Sequence, residues 1–314
     1  MLAVGVGLLL GGAELFTESA IETARALRIT TLALGLLLAG AEPEEMFTAA
    51  IAASKGSPGI AIGDAVGTNV TIIGLALAVG AVLVPIRVEP TALRHGIITL
   101  VASLPAVVLL LRGGLGRAEG MLLCALYAAY VWYVVRRERL PLETEEGTIE
   151  DLTRELAEPP GKPAWLAVGL TLLALAMMAS GGHFTVDGAR AIAARAGLSE
   201  TAIGLTLVAL ATSAEMVVLS IVPVLKGHPE LTLGAILGSY AYNATLTLGV
   251  AALVAPLAEG GQAVLTSLVF MLGLLILLLA LMRHGQLGRG SGLLLLVLYA
   301  AYVTVAIGQG FGVR

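Results

Sequence analysis

Apolar stretches of membrane-spanning length recur along almost the whole chain, and they fix the solvent before any motif is read. A spanning helix needs about 20 mostly apolar residues. Runs such as Leu170–Met178 and Leu268–Leu281 are nearly unbroken, so they do not alternate as the strands of a membrane barrel must. Of the 314 residues, 58% are hydrophobic and 13% charged, and the mean hydropathy is +0.95, far from the balance of a soluble domain. The expected fold class is an all-α integral membrane protein, a polytopic helical bundle.

Read against charge and turn signals, the runs predict ten helices, at 2–24, 31–54, 59–84, 95–111, 119–135, 164–189, 200–225, 231–256, 262–282 and 291–309. The long polar stretch between the fifth and sixth, 136–163, carries seven acids from Glu143 to Glu158 and closes with Pro159, Pro160 and Gly161. It divides the chain into a first half, 1–135, and a second half, 164–314. The opening Met1–Leu10 lacks a basic flank and reads as part of the first helix, not a removed leader. With one cysteine, Cys124, no intramolecular disulfide is available. Twelve of the 18 Lys and Arg residues fall at the same set of alternate helix ends as the linker. That bias places the linker in the cytoplasm and both termini outside, in a cell membrane. An odd number of helices per half sets the halves in opposite orientation.

The chain also resembles itself. A shift of 171 positions, the separation of Glu44 and Glu215, aligns AEPEEMFTAAIAASKGSPGIAIGDAVGTN with TSAEMVVLSIVPVLKGHPELTLGAILGSY. Lys55 and Gly56 then match Lys226 and Gly227, Pro58 matches Pro229, Gly63 matches Gly234, Gly67 matches Gly238, and Thr68 faces Ser239. The repeat motifs span 39–74 and 209–245. Apolar matches between leucine-rich helices carry no weight, but polar and glycine matches do. Inverted repeats with broken helices and an ion site at mid-membrane are the recurrent construction of secondary transporters.

Acids inside the spans carry the chemistry. Glu42, Glu44 and Glu45 lie in the second expected helix and Glu215 in the seventh. An ionised carboxylate at mid-membrane costs at least about 2.5 kcal/mol, so a cation or proton must offset it. Carboxylates from equivalent places in two inverted halves meet near the pseudo-two-fold axis, and their oxygens suit calcium, which accepts several such ligands in flexible geometry. Pro43 removes a backbone donor and predicts a break in the second helix. The second repeat has Ala214 there and relies on Thr212 and Ser213. Thr68, Asn69, Ser239 and Asn243 are candidate neutral oxygen ligands, and Gly63, Gly67, Gly234 and Gly238 permit close approach of the third and eighth helices. Asp64 is expected to complement the dipole of the third helix. The four histidines show no ligand spacing, and no protease, hydrolase or phosphate-loop motif is present, so an enzyme and a resident cofactor are not expected. The expected partners are membrane lipid and inorganic cations, with no nucleic acid and no obligatory protein.

These motifs resemble the cation/calcium exchanger superfamily, whose halves each carry GTSLPEL followed by GNxxGSNIxN. Here the first copy reads AGAEPEEM and GDAVGTNVTI, and the second ATSAEM and GAILGSYAYN. The upstream segments GGAELFTESAIETARAL and SGGHFTVDGARAIAARAGLS resemble the family's first and sixth helices. The resemblance implies that Glu44 and Glu215 are calcium-binding glutamates, that Asn243 is the second-repeat ligand, and that Thr68 and Ser239 hold the hydroxyl positions. It implies exchange of calcium, or another divalent cation, for sodium or protons by alternating access. Three departures stand beside it. Ile72 occupies the first-repeat asparagine position, no threonine-serine pair precedes Glu44, and the second repeat lacks the proline. Glu42, new beside the motif, either replaces a missing ligand or carries a proton. A proton-coupled exchanger without sodium dependence, a passive channel or uniporter, and a non-transporting family member remain open alternatives.

Overall fold

The computed structural model describes residues 2–27, 30–54, 56, 58–137, 163–195, 214–258 and 262–311. Helix α1 spans Leu2–Leu27, and a short α2, Thr31–Leu34, widens into a π-helical turn at Gly35–Ala39. After a break at Gly40–Glu42 come α3, Pro43–Ser54, and α4, Pro58–Thr71, which runs through a π turn at Ile72–Leu77 into α5, Ala78–Leu83. Strand β1, Ile86–Arg87, precedes α6, Pro90–Leu111, and α7, Arg117–Arg137. The second part holds α8, Ala164–Arg195, α9, Ala214–Leu225, and α10, Pro229–Tyr242, whose π turn Asn243–Thr247 leads to α11, Leu248–Val254. It ends with α12, Gln262–Met282, β2, Gln286–Leu287, and α13, Arg289–Phe311.

Six helical stretches among the described residues are long and apolar enough to cross a membrane, and two shorter apolar helices lie at Ala164–Met178 and Met216–Leu225. The expected second helix is not continuous. Pro43 stands first in α3, where its missing N–H needs no partner, and the chain ahead of it unwinds. The same chemistry moves two other starts earlier than the hydropathy implied. The fourth helix begins at Pro90 and the eighth at Pro229, each proline supplying the fixed φ of a first helical residue.

Burial sorts the helices into an inner pair and an outer ring. The apolar window of Pro229–Val254 is 83% buried and that of Ala61–Leu83 67%, against 11% for Arg289–Ala306. The ring turns leucines and valines such as Val269, Leu293 and Val297 outward, the composition lipid requires. Arg136 stacks over the exposed Trp132 ring at 5.2 Å, an amphipathic pair suited to the membrane boundary. Tyr130 is instead buried packing, and Cys124 abuts Gly249.

The central helices are joined by small residues. A side chain at Gly35 would stand 3.0 Å from the Gly234 backbone, and one at Gly80 2.6 Å from the Ser220 carbonyl. Thus α2 packs on α10, and α9 packs on α5. Helix α1 lies along α8, with a hydrogen bond of 2.8 Å between the buried Thr23 and Thr171 hydroxyls. Lys226, in the turn after α9, meets Glu18 of α1 at 2.8 Å and Glu14 at 3.4 Å. The hydrogen bond to Glu18 pushes the Lys226 amine up from its ordinary 10.5.

Two backbone clasps link the connections at opposite ends of the bundle. Strands β1 and β2 pair antiparallel, Ile86 with Leu287 and Arg87 with Gln286. Leu115 and Leu257 exchange N–H···O bonds of 2.9 and 2.8 Å. The shift of 171 that aligns the repeats carries Ile86 onto Leu257 and Leu115 onto Gln286, so each clasp is the counterpart of the other to within one residue. The π turns obey the same shift, starting at Ile72 and Asn243.

Candidate cation site

The site grows from the break. Glu42 precedes the proline that opens α3, and its carbonyl accepts from the Glu45 N–H at 3.1 Å. A residue at this boundary ordinarily turns its side chain back onto the first N–H groups of the helix. Glu42 instead reaches to α10, where its Oε2 accepts from the Ser239 hydroxyl and from Asn243 Nδ2, the latter at 2.8 Å. Close backbone approach makes this reach possible. A Cβ at Gly40 would stand 2.5 Å from Ser239 N and 2.6 Å from Gly238 Cα, so glycine alone fits there.

Glu42 is 7% exposed, and Ser239 and Asn243 are fully buried. A carboxylate so placed is stable only with donors, a proton or a cation around it. Ser239 and Asn243 are four residues apart on one helical face, so both converge on one oxygen. Asn243 opens the π turn, a feature frequent at functional sites. Its Oδ1 accepts from the Thr247 hydroxyl at 3.0 Å. Thr247 is fully buried, and the sequence reading missed it because only the fold shows which way the Asn243 amide faces.

The other expected residues divide. Glu44 and Glu215 occupy equivalent positions, each second in its helix, α3 and α9, where the helix dipole favours a carboxylate. Their side chains lie outside the described residues, as do Thr212 and Ser213 entirely. Thr68 is half-buried on α4. Asn69 is fully buried, donating from Nδ2 to the Tyr240 carbonyl at 3.2 Å and to Met271 Sδ at 3.7 Å, while its Oδ1 has no partner among the described residues. Asn69 and Tyr240 are themselves 171 residues apart, so this bond joins equivalent positions where α4 and α10 cross. Asp64 stands seventh in α4, beyond the first turn whose dipole the sequence reading assigned to it; its carboxyl neighbours that of the buried Glu45, and its Oδ2 has no partner among the described residues. Gly63 and Gly67 do not repeat the tight contacts of Gly234 and Gly238 among the described residues. Nor do three His, Cys, Asp or Glu gather into a metal cluster among them.

A helical membrane bundle that buries a carboxylate between two related sets of helices is the framework of a cation transporter. The family model described as "Sodium/calcium exchanger protein" matches residues 1–136 and 166–308. The chain belongs to the sodium/calcium exchanger family, and is therefore a membrane cation antiporter, not an enzyme. It is 32% identical over 307 residues to the "Putative antiporter CaxA" of Alkalimonas amylolytica, covering 95% of each chain. It is 26% identical to the "Sodium/calcium exchanger MaX1" of Methanosarcina acetivorans, covering 97% of each. Among solved structures, the sodium-calcium exchanger NCX_Mj soaked with sodium and strontium superposes with a TM-score of 0.81 at 25% identity, over 100% of this chain and 97% of that one.

Proposed function

We propose that the protein exchanges calcium, or a closely related divalent cation, for sodium or protons through a site between two inverted five-helix halves. The halves are 1–135 and 164–314, joined by the cytoplasmic linker 136–163, with ten spans and both termini outside. The paired clasps and the π turns 171 residues apart support that arrangement. The observation that carries the site is the buried Glu42 carboxylate, contributed by the break in the first half and received by Ser239 and Asn243 of the second. Glu44 and Glu215 complete the charge from the two helix starts, and Thr68, Thr212 and Ser213 add hydroxyls. Asn69 ties α4 to α10 through its Nδ2 and offers its buried, unpartnered Oδ1 as a further neutral oxygen. Antiport follows from electrostatics, because several unpaired carboxylates are too costly to carry through a dry intermediate without a counter-ion.

One observation favours protons over a full set of sodium ions on the return stroke. Ile72 is fully buried where symmetry with Asn243 places an oxygen ligand, so one half lacks a coordinating group. The relative named above as a sodium/calcium exchanger supports sodium as a coupling ion, and the putative antiporter supports exchange without naming one.

The test is calcium uptake into proteoliposomes loaded with sodium, with a low internal pH, or with neither. Uptake should require one of the two gradients and fall to background in Glu44→Gln and Glu215→Gln. Gradient-independent flux would mean a channel or uniporter, near-normal exchange in either variant would remove that acid from the site, and near-normal exchange in Glu42→Gln would remove the site itself.

A further inference from the structure

We propose that the β1–β2 clasp is a binding site for the headgroups of anionic phospholipids, with Arg87, Arg283 and Arg289 holding the phosphate. The apolar spans set the depth of the clasp. They end or begin at Leu83, Pro90, Met282 and Arg289, so each of the three arginines lies within four residues of a span end, at the level of the headgroups. The ladder sets the direction. Ile86 and Leu287 are fully buried, so their neighbours Arg87 and Gln286 turn to the opposite, exposed side, where they face each other across the pair. Opposed residues of an antiparallel ladder have Cβ atoms about 4.5–5.5 Å apart, which lets the Arg87 guanidinium and the Gln286 amide donate to one phosphate.

Arg283 follows the last residue of α12 and Arg289 is the first of α13, so they flank β2, and both are exposed. None of the three arginines makes an ion pair among the described residues. Glu89 is the one acid in residues 83–94 and 282–289, against four arginines, so the patch keeps a net positive charge. Guanidinium groups meet phosphate oxygens two at a time, and the anionic surface of a bilayer lies where these groups stand. The counterpart clasp shows that the fold does not require this charge. Under the shift of 171, Arg87 falls on Ala258, Gln286 on Leu115 and Arg289 on Ala118, and only Arg283 keeps a basic counterpart, Arg112. The same backbone closure is made there with apolar residues at its centre.

Thermal unfolding of the purified full-length protein in neutral detergent tests this, with phosphatidylglycerol, phosphatidylcholine or inorganic phosphate added. Phosphatidylglycerol should raise the wild-type midpoint in a saturable way and phosphatidylcholine should raise it less. Added salt should move the phosphatidylglycerol curve to higher lipid. An arginine near an anionic surface contributes about a fivefold gain in affinity. Arg87→Gln, Arg283→Gln and Arg289→Gln should therefore each raise the half-saturating lipid by about that factor, and the triple variant should lose the response. Arg112→Gln combined with Arg117→Gln, at the other clasp, should keep it. Equal wild-type midpoints with the two lipids, indifference to salt, or the same rise with inorganic phosphate alone overturns the proposal. So does an equal loss in the variant of the other clasp. A triple variant with a lower midpoint throughout but an intact lipid response assigns the arginines to the linker acids and overturns it too. If the triple variant does not fold, the single variants are read by the same shift in half-saturating lipid.

Discussion

At the scale of single residues, the candidate site depends on what glycine leaves out as much as on what glutamate brings. Glu42 bonds Ser239 and Asn243 only because the chain at Gly40 lies against the backbone of Gly238 and Ser239. Gly40→Ala drives a methyl group into backbone that cannot rotate away. Overpacking of this kind costs about 1–3 kcal/mol. It should lower the thermal midpoint of the detergent-solubilised protein and weaken calcium uptake by separating the two elements. Gly273→Ala, on the exposed side of α12 with nothing near its added methyl, should alter neither. Equal behaviour of the two variants would mean that the close approach at Gly40 does not shape the site. The acids were legible because charge in an apolar run has few explanations. That Glu42 bonds Ser239 and Asn243 of α10 was not, since direction depends on where the helix breaks.

At the scale of elements, the π turns show what hydropathy cannot. Each inserts a residue into an otherwise apolar helix, and no composition signal separates Ile72–Leu77 or Asn243–Thr247 from the α-helix around it. The repeat spacing was legible because Lys, Gly and Pro recur in register. The asymmetry between the halves was legible too, as Ile72 opposite Asn243. The π turn at Ile72 gives this position the same backbone form as Asn243 although its side chain is apolar. Ile72→Asn therefore places an amide on a backbone already shaped for one. Burying an amide without partners costs about 1–3 kcal/mol by mutational measure, so the variant should be less stable on heating. Ligation would offset that cost, so added sodium or calcium should recover stability in Ile72→Asn more than in the wild type. Equal recovery in both proteins would show that position 72 does not face the ion.

At the scale of the whole molecule, the two clasps tie one set of helices together and leave the α1–α8 pair outside them. The β1–β2 pairing and the Leu115–Leu257 bridge tie the connections around α6, α7, α12 and α13. Neither clasp includes α1 or α8, which lie along each other through Thr23 and Thr171. Outside the membrane interior, α1 is also held to the turn after α9 by the ion pairs of Lys226 with Glu14 and Glu18. Glu18 is 62% exposed, and exposed pairs contribute only about 0–1 kcal/mol, so this contact can break and re-form during a transport cycle. If α1 and α8 slide against the clasped helices to switch access, fixing this contact should stop exchange, whereas fixing a clasp should not. In a Cys124→Ala background, bridging Glu18→Cys to Lys226→Cys with a reducible bifunctional thiol reagent should suppress calcium exchange, and reduction should restore it. The same reagent across Arg87→Cys and Gln286→Cys should leave most of the exchange intact, because those positions already face each other in the β1–β2 ladder. Full exchange with α1 bridged would place the motion elsewhere, and loss of exchange with the clasp bridged would show that the clasped helices themselves must part.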